Sequence, residues 1–162
     1  MARITFAQLQ KRTGHELLSD AHAPCMTSSG PMNVRMAERA TEARYPTHRW
    51  LRVGAMEHFE RIGWDVHRHG VGVWGAKRVL ADFAIARGPR IVLVECLTAS
   101  WTYFQNVQRK RRLEKYFPVW FVIEDPDGDD ADYAERVQRL RNRCPIFVWS
   151  KARGVRRLRA LP

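Results

Sequence analysis

The sequence predicts an α/β protein with a mixed central sheet flanked by helices. Short apolar runs, several of them rich in β-branched residues, predict buried strands at 91–97 and 119–124. Segments in which apolar residues recur every three or four positions predict the helices that cover such a sheet. At 162 residues with 45% hydrophobic content, the chain has enough apolar material to bury a real core.

The first 45 residues are predicted to form a helical arm that precedes the main domain. Thr5 and Gln8 have the spacing of a capping box, which predicts a short helix. Residues 13–31 predict a loop because they are rich in Gly, Ser, Pro and Ala, and residues 32–43 predict a second helix. Three residues of metal-binding type occur in the loop without the spacing of a zinc site: His15, His22 and Cys25.

The main domain is predicted to span residues 46–150 and to begin with a helix over 47–62. One apolar face of this helix is formed by Leu51, Ala55, Phe59 and Ile62. Three strands are predicted next, at 64–69, 79–86 and 91–97. The breaker Gly88-Pro89 separates the last two strands and predicts a β-hairpin.

The predicted order continues with a helix over 99–117, a strand at 119–124, a helix over 131–143 and a strand at 145–150. Residues 151–162 then form a basic C-terminal tail. The helices on either side of the strands complete the α/β pattern.

Two carboxylates interrupt the apolar strands of the predicted hairpin, Asp82 in one and Glu95 in the other. If both side chains lie on the same side of the pair, their charges are close together and repel each other. A hard divalent cation with oxygen ligands is the usual way to stabilise such a pair. The sequence therefore predicts a metal site at this position.

This arrangement resembles the PD-(D/E)xK nuclease superfamily, and the archaeal-type Holliday junction resolvases are the most similar in size and element order. Ala81-Asp82 corresponds to the Pro-Asp of the family, and Glu95-Cys96-Leu97 corresponds to its Glu-x-Lys. The resemblance covers residues 47–123 and implies a restriction-endonuclease-like core of order αβββαβ, with an added helix and strand. The chain departs from the pattern at Leu97, which replaces the motif lysine.

The resemblance implies a magnesium-dependent endonuclease that hydrolyses DNA, with Mn²⁺ able to substitute for Mg²⁺. The implied metal ligands are Asp82, Glu95, the carbonyl of Cys96 and, as a third acid on the first helix, Glu57. Glu57 nevertheless projects away from the apolar face of that helix.

The family also includes members in which the motif lysine has moved to the helix that follows the third strand. Lys110 lies on the apolar side of that predicted helix, and Gln105 matches a glutamine found there in related families. The alternative for Lys110 is a solvent-exposed pair with Glu114, four residues further on.

The net charge of +11 and the pI of about 10.4 predict a polyanionic partner, most commonly nucleic acid. We expect DNA, with RNA as an alternative. The candidate phosphate contacts are Lys77, Arg78, Arg109, Arg111, Arg112, Lys151, Arg153, Arg156, Arg157 and Arg159. The same charge also fits a catalytically inactive nuclease-fold protein that binds nucleic acid or a ribonucleoprotein assembly.

No apolar run is long enough to span a membrane, and the N-terminus lacks the pattern of a signal peptide. Three cysteines without Cys-x-x-Cys spacing argue against a disulfide framework. We therefore expect a cytoplasmic protein without a membrane partner. The sequence leaves open whether the chain forms a homodimer.

Overall fold

The computed structural model describes residues 3–19, 24–27, 30–33, 46–73, 80–97, 111–124, 146–150 and 154–157. The helices in these ranges are α1 (Phe6–Thr13) and α2 (Pro46–Arg61), together with a 3-10 helix at Leu113–Lys115. The strands are β1 (Leu17–Ser19), β2 (Pro24–Thr27), β3 (Gly30–Asn33), β4 (Asp65–His67), β5 (Val71–Val73), β6 (Leu80–Ala81), β7 (Phe83–Arg87), β8 (Arg90–Leu97), β9 (Val119–Glu124), β10 (Ile146–Ser150) and β11 (Gly154–Arg157).

Among the residues that the structure describes, six strands form the central sheet, in the order β11-β10-β9-β8-β7-β4. The pairs β8 with β9 and β9 with β10 are parallel, and the other neighbours are antiparallel. The sheet is therefore mixed, as the sequence predicted. A smaller sheet has the order β1-β5-β6, and β2 pairs with β3 in a separate hairpin.

The predicted hairpin at the centre of the chain is confirmed by the pairing of β7 with β8. Its register runs from Arg87 opposite Arg90 to Phe83 opposite Val94. Gly88 has a φ of 56° in the turn, a conformation that glycine adopts without the cost of a side chain. The turn therefore sets the register that carries the two acids.

Buried side chains cover both faces of the central sheet. On one face, Leu51, Ala55 and Phe59 of α2 pack against inward-facing residues of β7, β8 and β9. On the other face, the core includes residues of α1, the small sheet and the 3-10 helix. Alternate residues of β7, β8 and β9 contribute to opposite cores, as expected for strands that are buried on both sides.

The position of α2 on the sheet is fixed near its C-terminal end by two arginine side chains. Arg87 donates hydrogen bonds to the backbone oxygens of Gly63, at 3.2 Å, and of Ile62. Arg68 makes two hydrogen bonds with the buried carboxylate of Glu60, at 3.0 and 2.7 Å. These contacts hold the C-terminal end of α2 against the sheet. Because a helix is rigid, they also help to determine the position of its N-terminal end.

The predicted capping box at the start of α1 is present: the Thr5 hydroxyl accepts from the Gln8 backbone N–H, and the Gln8 side chain accepts from the Thr5 N–H. Residues 3–19 of the predicted arm are nevertheless packed against the main domain. Ile4 and Leu9 lie in the core, and β1 pairs with β5. The predicted loop contains strands: β1 pairs with the distant β5, for which local composition gives no signal, and β2 pairs with the adjacent β3.

Several predicted boundaries shift in the structure. Met32 lies in β3 rather than at the start of a helix, and residues 34–43 lie outside the described ranges, as does the predicted helix at 131–143. Residues 111–117 form a turn and the 3-10 helix rather than the end of an α-helix. Ile62 is 46% exposed because α2 ends at Arg61 and the chain turns at Gly63, whose φ is 87°.

The predicted C-terminal tail contains the strand β11, which forms one edge of the central sheet. Its register places Val155 opposite Trp149 and Arg157 opposite Phe147. Four residues of the tail are thus part of the domain rather than an unpaired arm. Within the described ranges, no helix is long and apolar enough to cross a membrane.

Candidate functional site

Asp82 lies at a bend where the chain leaves β6 in the small sheet and enters β7 in the central sheet. The last paired residues of β7 and β8 are Phe83 and Val94. The backbone N–H of Cys96 lies beyond this pair and donates to Asp82 Oδ2 over 2.7 Å. The Asp82 carboxylate therefore accepts the hydrogen bond that a backbone carbonyl of a neighbouring strand would otherwise accept from Cys96. This bond fixes the orientation of the Asp82 side chain.

Glu95 lies on β8 beside Cys96 and is 4% exposed. Its position one residue before the hydrogen bond to Asp82 places the two acids at the same point of the hairpin. Their negative charges both act on one histidine of α2. Both acids therefore lie within electrostatic range of the same histidine, and their predicted closeness to each other stays a prediction.

The histidine is His48, in the first turn of α2, and its Nε2 lies 3.4 Å from Asp82 Oδ2. Burial is the largest single influence on its pKa and lowers it. The charge of Asp82, the hydrogen bond with Asp82 and the charge of Glu95 together outweigh burial and raise the His48 pKa from 6.5 to about 9. His48 is therefore a cation at neutral pH in the metal-free protein.

Arg52 follows His48 by four residues, which places both side chains on the same side of α2. Its charge opposes the protonation of His48, so the two cations lie within electrostatic range of each other. Nε and one terminal nitrogen of Arg52 are buried from solvent. The N-terminal half of α2 thus presents two positive side chains toward the hairpin that carries two negative ones.

Sequence reasoning missed both His48 and Arg52. The signal was present, because these residues continue the core-facing side of α2 formed by Leu51, Ala55 and Phe59. Polar side chains four residues apart on the buried side of a helix need partners in the protein interior. Such a pair can be found from helical periodicity alone.

Glu57, the predicted third acid, does not lie with Asp82 and Glu95. It is exposed on α2, and its charge acts instead on Arg68, together with that of Glu60. The hydrogen bonds that Arg68 donates to the Glu60 carboxylate are the main reason that the pKa of Arg68 is raised. Of these two acids, Glu60 makes the contact with Arg68 that holds the helix, and Glu57 acts on Arg68 only through its charge.

Leu97 is 2% exposed and lies in the core on the sheet face opposite α2. The two residues proposed to replace the motif lysine, Lys110 and Gln105, lie outside the described ranges. Arg111 and Arg112 precede the 3-10 helix, and Arg156 and Arg157 lie on β11. The other predicted phosphate contacts lie outside the described ranges: Lys77, Arg78, Arg109, Lys151, Arg153 and Arg159.

The described residues contain no group of three or more His, Cys, Asp and Glu side chains arranged to hold a metal ion. Two carboxylates are nevertheless compatible with Mg²⁺, which is commonly held by one or two carboxylates and otherwise by waters and phosphate oxygens. The N–H and C=O of one strand residue point to the same side of the strand. The carbonyl of Cys96 is therefore directed to the side on which Asp82 lies.

Comparisons with known proteins give no relative: no family model, no curated protein and no solved structure matches the chain. The chemistry of the site must therefore be argued from its own residues.

Proposed function

We propose that this chain is a metal-dependent nuclease that hydrolyses phosphodiester bonds in DNA, with Asp82 and Glu95 as the ligands of Mg²⁺. The observation that carries the proposal is the hydrogen bond of 2.7 Å between Cys96 N and Asp82 Oδ2, which fixes Asp82 against the strand residue that follows Glu95. A half-buried and a buried carboxylate that both act on one histidine would oppose each other electrostatically, and a divalent cation relieves this repulsion.

The order of elements supports this proposal. The helix α2 precedes an antiparallel set formed by β4, β7 and β8, and β9 then joins the sheet parallel to β8. This order is compatible with the restriction-endonuclease-like core that the sequence resemblance implies, in which the second and third strands of the core carry the acids. The site lies where β7 meets the bend at Asp82, at the end of the hairpin ladder.

The charges of the site suit a metal and a phosphodiester together. Asp82 and Glu95 carry two negative charges, and His48 and Arg52 carry two positive ones, so that they cancel at neutral pH. A divalent cation makes the site positive, which attracts a phosphodiester anion. When bound, Mg²⁺ would activate a water molecule and stabilise the negative charge that develops on the phosphate.

The chain's own residues orient these groups. Cys96 N holds Asp82 in one orientation, and His48 approaches the same carboxylate oxygen from α2. A carboxylate offers about four acceptor positions, so these contacts are compatible with a metal on the same group. The substrate is attracted by the high net positive charge of the chain, without a requirement for base sequence.

Cleavage assays test the proposal directly. We expect the wild-type protein to cleave branched, linear or single-stranded DNA with Mg²⁺ or Mn²⁺. Asp82→Asn and Glu95→Gln should each lower the cleavage rate at least about 100-fold while DNA affinity is retained. Glu57→Gln is the matched control, since it removes an exposed carboxylate outside the site. Wild-type rates in both site variants would contradict the assignment.

A second candidate is a protein of the same fold that binds nucleic acid without cleaving it. Two observations favour it: the position of the motif lysine is filled by a buried leucine, and His48 already supplies a positive charge to the acids. Titration with Mn²⁺ separates the two candidates. A binding-only protein should show no Mn²⁺ binding that depends on Asp82, and no cleavage of any substrate.

A further inference from the structure

We propose that Arg52 binds the phosphodiester group at this site and takes the role of the cation that is missing at Leu97. This inference rests on the proposed function, because it assigns the phosphate contact of the same site. It names a side chain on α2, a part of the chain to which the sequence resemblance assigns only an acid.

The placement of Arg52 is the first support. Side chains four residues apart on a helix are neighbours, with about 5–6 Å between their Cβ atoms. His48 is 3.4 Å from Asp82, and Arg52 is the next side chain along the same side of α2. The charge of Arg52 acts on His48, so the guanidinium lies near the histidine that contacts Asp82.

The burial of the guanidinium is the second support. A surface arginine normally extends its charged end into water. Nε and one terminal nitrogen of Arg52 are instead buried, although the residue as a whole is only half-buried. By contrast, Arg49 in the preceding turn is exposed. An arginine whose charge is kept inside the protein near His48, the partner of Asp82, is suited to act there.

The chemistry of the guanidinium is the third support. Its planar group of N–H donors matches the oxygens of a phosphate and remains charged at all relevant pH values. A phosphodiester that enters between the metal ligands and α2 would meet Arg52 on the helix side. Position 97 does not supply this contact, because its side chain is apolar and packed in the core.

The role is one of binding and charge stabilisation, without proton transfer by Arg52. In hydrolysis, the oxygen of water forms a bond to phosphorus and the bond from phosphorus to the leaving sugar oxygen breaks. One proton leaves the attacking water for solvent, and one proton from solvent joins the leaving oxygen. Arg52 donates hydrogen bonds to the non-bridging oxygens, whose negative charge must be stabilised as this exchange proceeds.

Binding of a dinucleotide that contains one phosphodiester tests the assignment without cleavage. Its ³¹P NMR signal is followed in Ca²⁺ with wild type, Arg52→Gln and Arg52→Lys, and with Arg49→Gln as the matched control. We expect Arg52→Gln to weaken binding at least about tenfold and Arg49→Gln less than about twofold. Arg52→Lys should bind with intermediate affinity because it keeps the charge but loses the planar donor group.

These binding measurements support or overturn the role of Arg52 without any measurement of cleavage. Absence of dinucleotide binding by wild type, or equal weakening in the Arg52 and Arg49 variants, would overturn it. If Arg52→Gln does not fold, as judged by thermal unfolding, binding by Arg52→Lys that equals wild type would overturn it. Binding that requires Arg52 in a protein that cleaves no substrate would support the phosphate contact and reject the nuclease proposal.

A cleavage measurement compares Arg52 with Lys110, the alternative that the sequence suggests. In single-turnover assays, Arg52→Gln should lower the rate about 100-fold and Lys110→Gln should leave it nearly unchanged. The reverse result, with cleavage present in wild type, would retain the nuclease and reject the role of Arg52.

Discussion

The imidazole of His48 lies 3.4 Å from the carboxylate of Asp82, across the boundary between α2 and the hairpin of β7 and β8. The two residues are far apart in sequence, and neither is near a motif that predicts the other. Because Glu95 acts on the same imidazole, one histidine neutralises part of the charge of both acids. This contact has consequences for stability that can be measured in the absence of metal.

The first prediction concerns the pH dependence of stability. The folded protein holds the proton of His48 up to a pKa of about 9, whereas the unfolded chain releases it near 6.5. The stabilisation is therefore complete below pH 6.5 and is lost as the pH rises toward 9, with an upper limit of about 3 kcal/mol. Urea unfolding of metal-free protein between pH 6 and 9.5 measures it, in steps of roughly half a pH unit.

The control for this prediction is His48→Gln, which should remove most of the decrease in stability over the same interval. His58 has the opposite effect, since burial and the nearby Arg61 lower its pKa. Its contribution is lost as the pH falls below 6.5, outside the range in which His48 acts. A stability profile that is equally steep with and without His48 would contradict the prediction.

The second prediction compares two substitutions of Asp82. From two facing acids alone, one expects that removal of a charge stabilises the metal-free protein. The contact with His48 reverses the expected sign, so that both Asp82→Asn and Asp82→Ala should be less stable than wild type at pH 7. Ala should be less stable than Asn by about 1–3 kcal/mol, because only Asn can still accept from Cys96 N.

Equilibrium unfolding of both variants provides the measurement, and His48→Gln combined with Asp82→Asn provides the control for the charge contact. In the His48→Gln background, Asp82→Asn should lower the free energy of unfolding by less than it does in wild type, since the cationic partner His48 is already absent. Equal stability of Asn and Ala at position 82 would show that the hydrogen bond to Cys96 contributes little.

The third prediction concerns restoration of the family motif by Leu97→Lys. The side chain at 97 is packed among apolar residues on the sheet face opposite α2. A lysine there buries an ammonium group and should lower the free energy of unfolding by at least about 2 kcal/mol. We expect no gain in cleavage. Leu97→Met is the control of similar volume and should cost less than about 1.5 kcal/mol.

The fourth prediction concerns deletion of residues 151–162. This deletion removes β11 and leaves β10 as an unpaired edge of the central sheet. One hydrogen bond contributes roughly 0.5–1.5 kcal/mol net to stability, and the β10–β11 pairing contains several. We therefore expect the free energy of unfolding to fall by several times this amount. Deletion of residues 158–162 alone keeps β11 and should have a small effect on stability. Thermal unfolding of the two truncated proteins distinguishes these outcomes.

The shorter deletion also separates the structural role of this segment from its contribution to nucleic-acid binding. It removes Arg159, so the salt dependence of DNA affinity should become slightly less steep while the fold is intact. An unchanged slope would show that Arg159 does not contact phosphate.

The sequence alone was sufficient for those elements whose signals are local. The turn at Gly88-Pro89, between two apolar runs, predicted the hairpin of β7 and β8, and the run at Val119–Glu124 matches β9. The capping box of Thr5 and Gln8 predicted the start of α1. In each case, the residues that determine the structure are adjacent or within one helical turn, so that a short window contains the whole signal.

Tertiary structure alone decided the composition of the site. Periodicity showed that the side of α2 formed by Leu51, Ala55 and Phe59 is buried, but not which strands it would meet. Whether His48 faces Asp82 depends on how α2 lies across the sheet, which follows from packing along its whole length and from contacts such as that of Arg68 with Glu60. The pairing of β1 with β5 and of β11 with β10 likewise depends on partners that no local window contains. The sequence thus determined which residues are buried. Packing between distant segments determined which charged partners those residues contact. The reason is that a buried polar group is stabilised only by the partner that the fold brings to it.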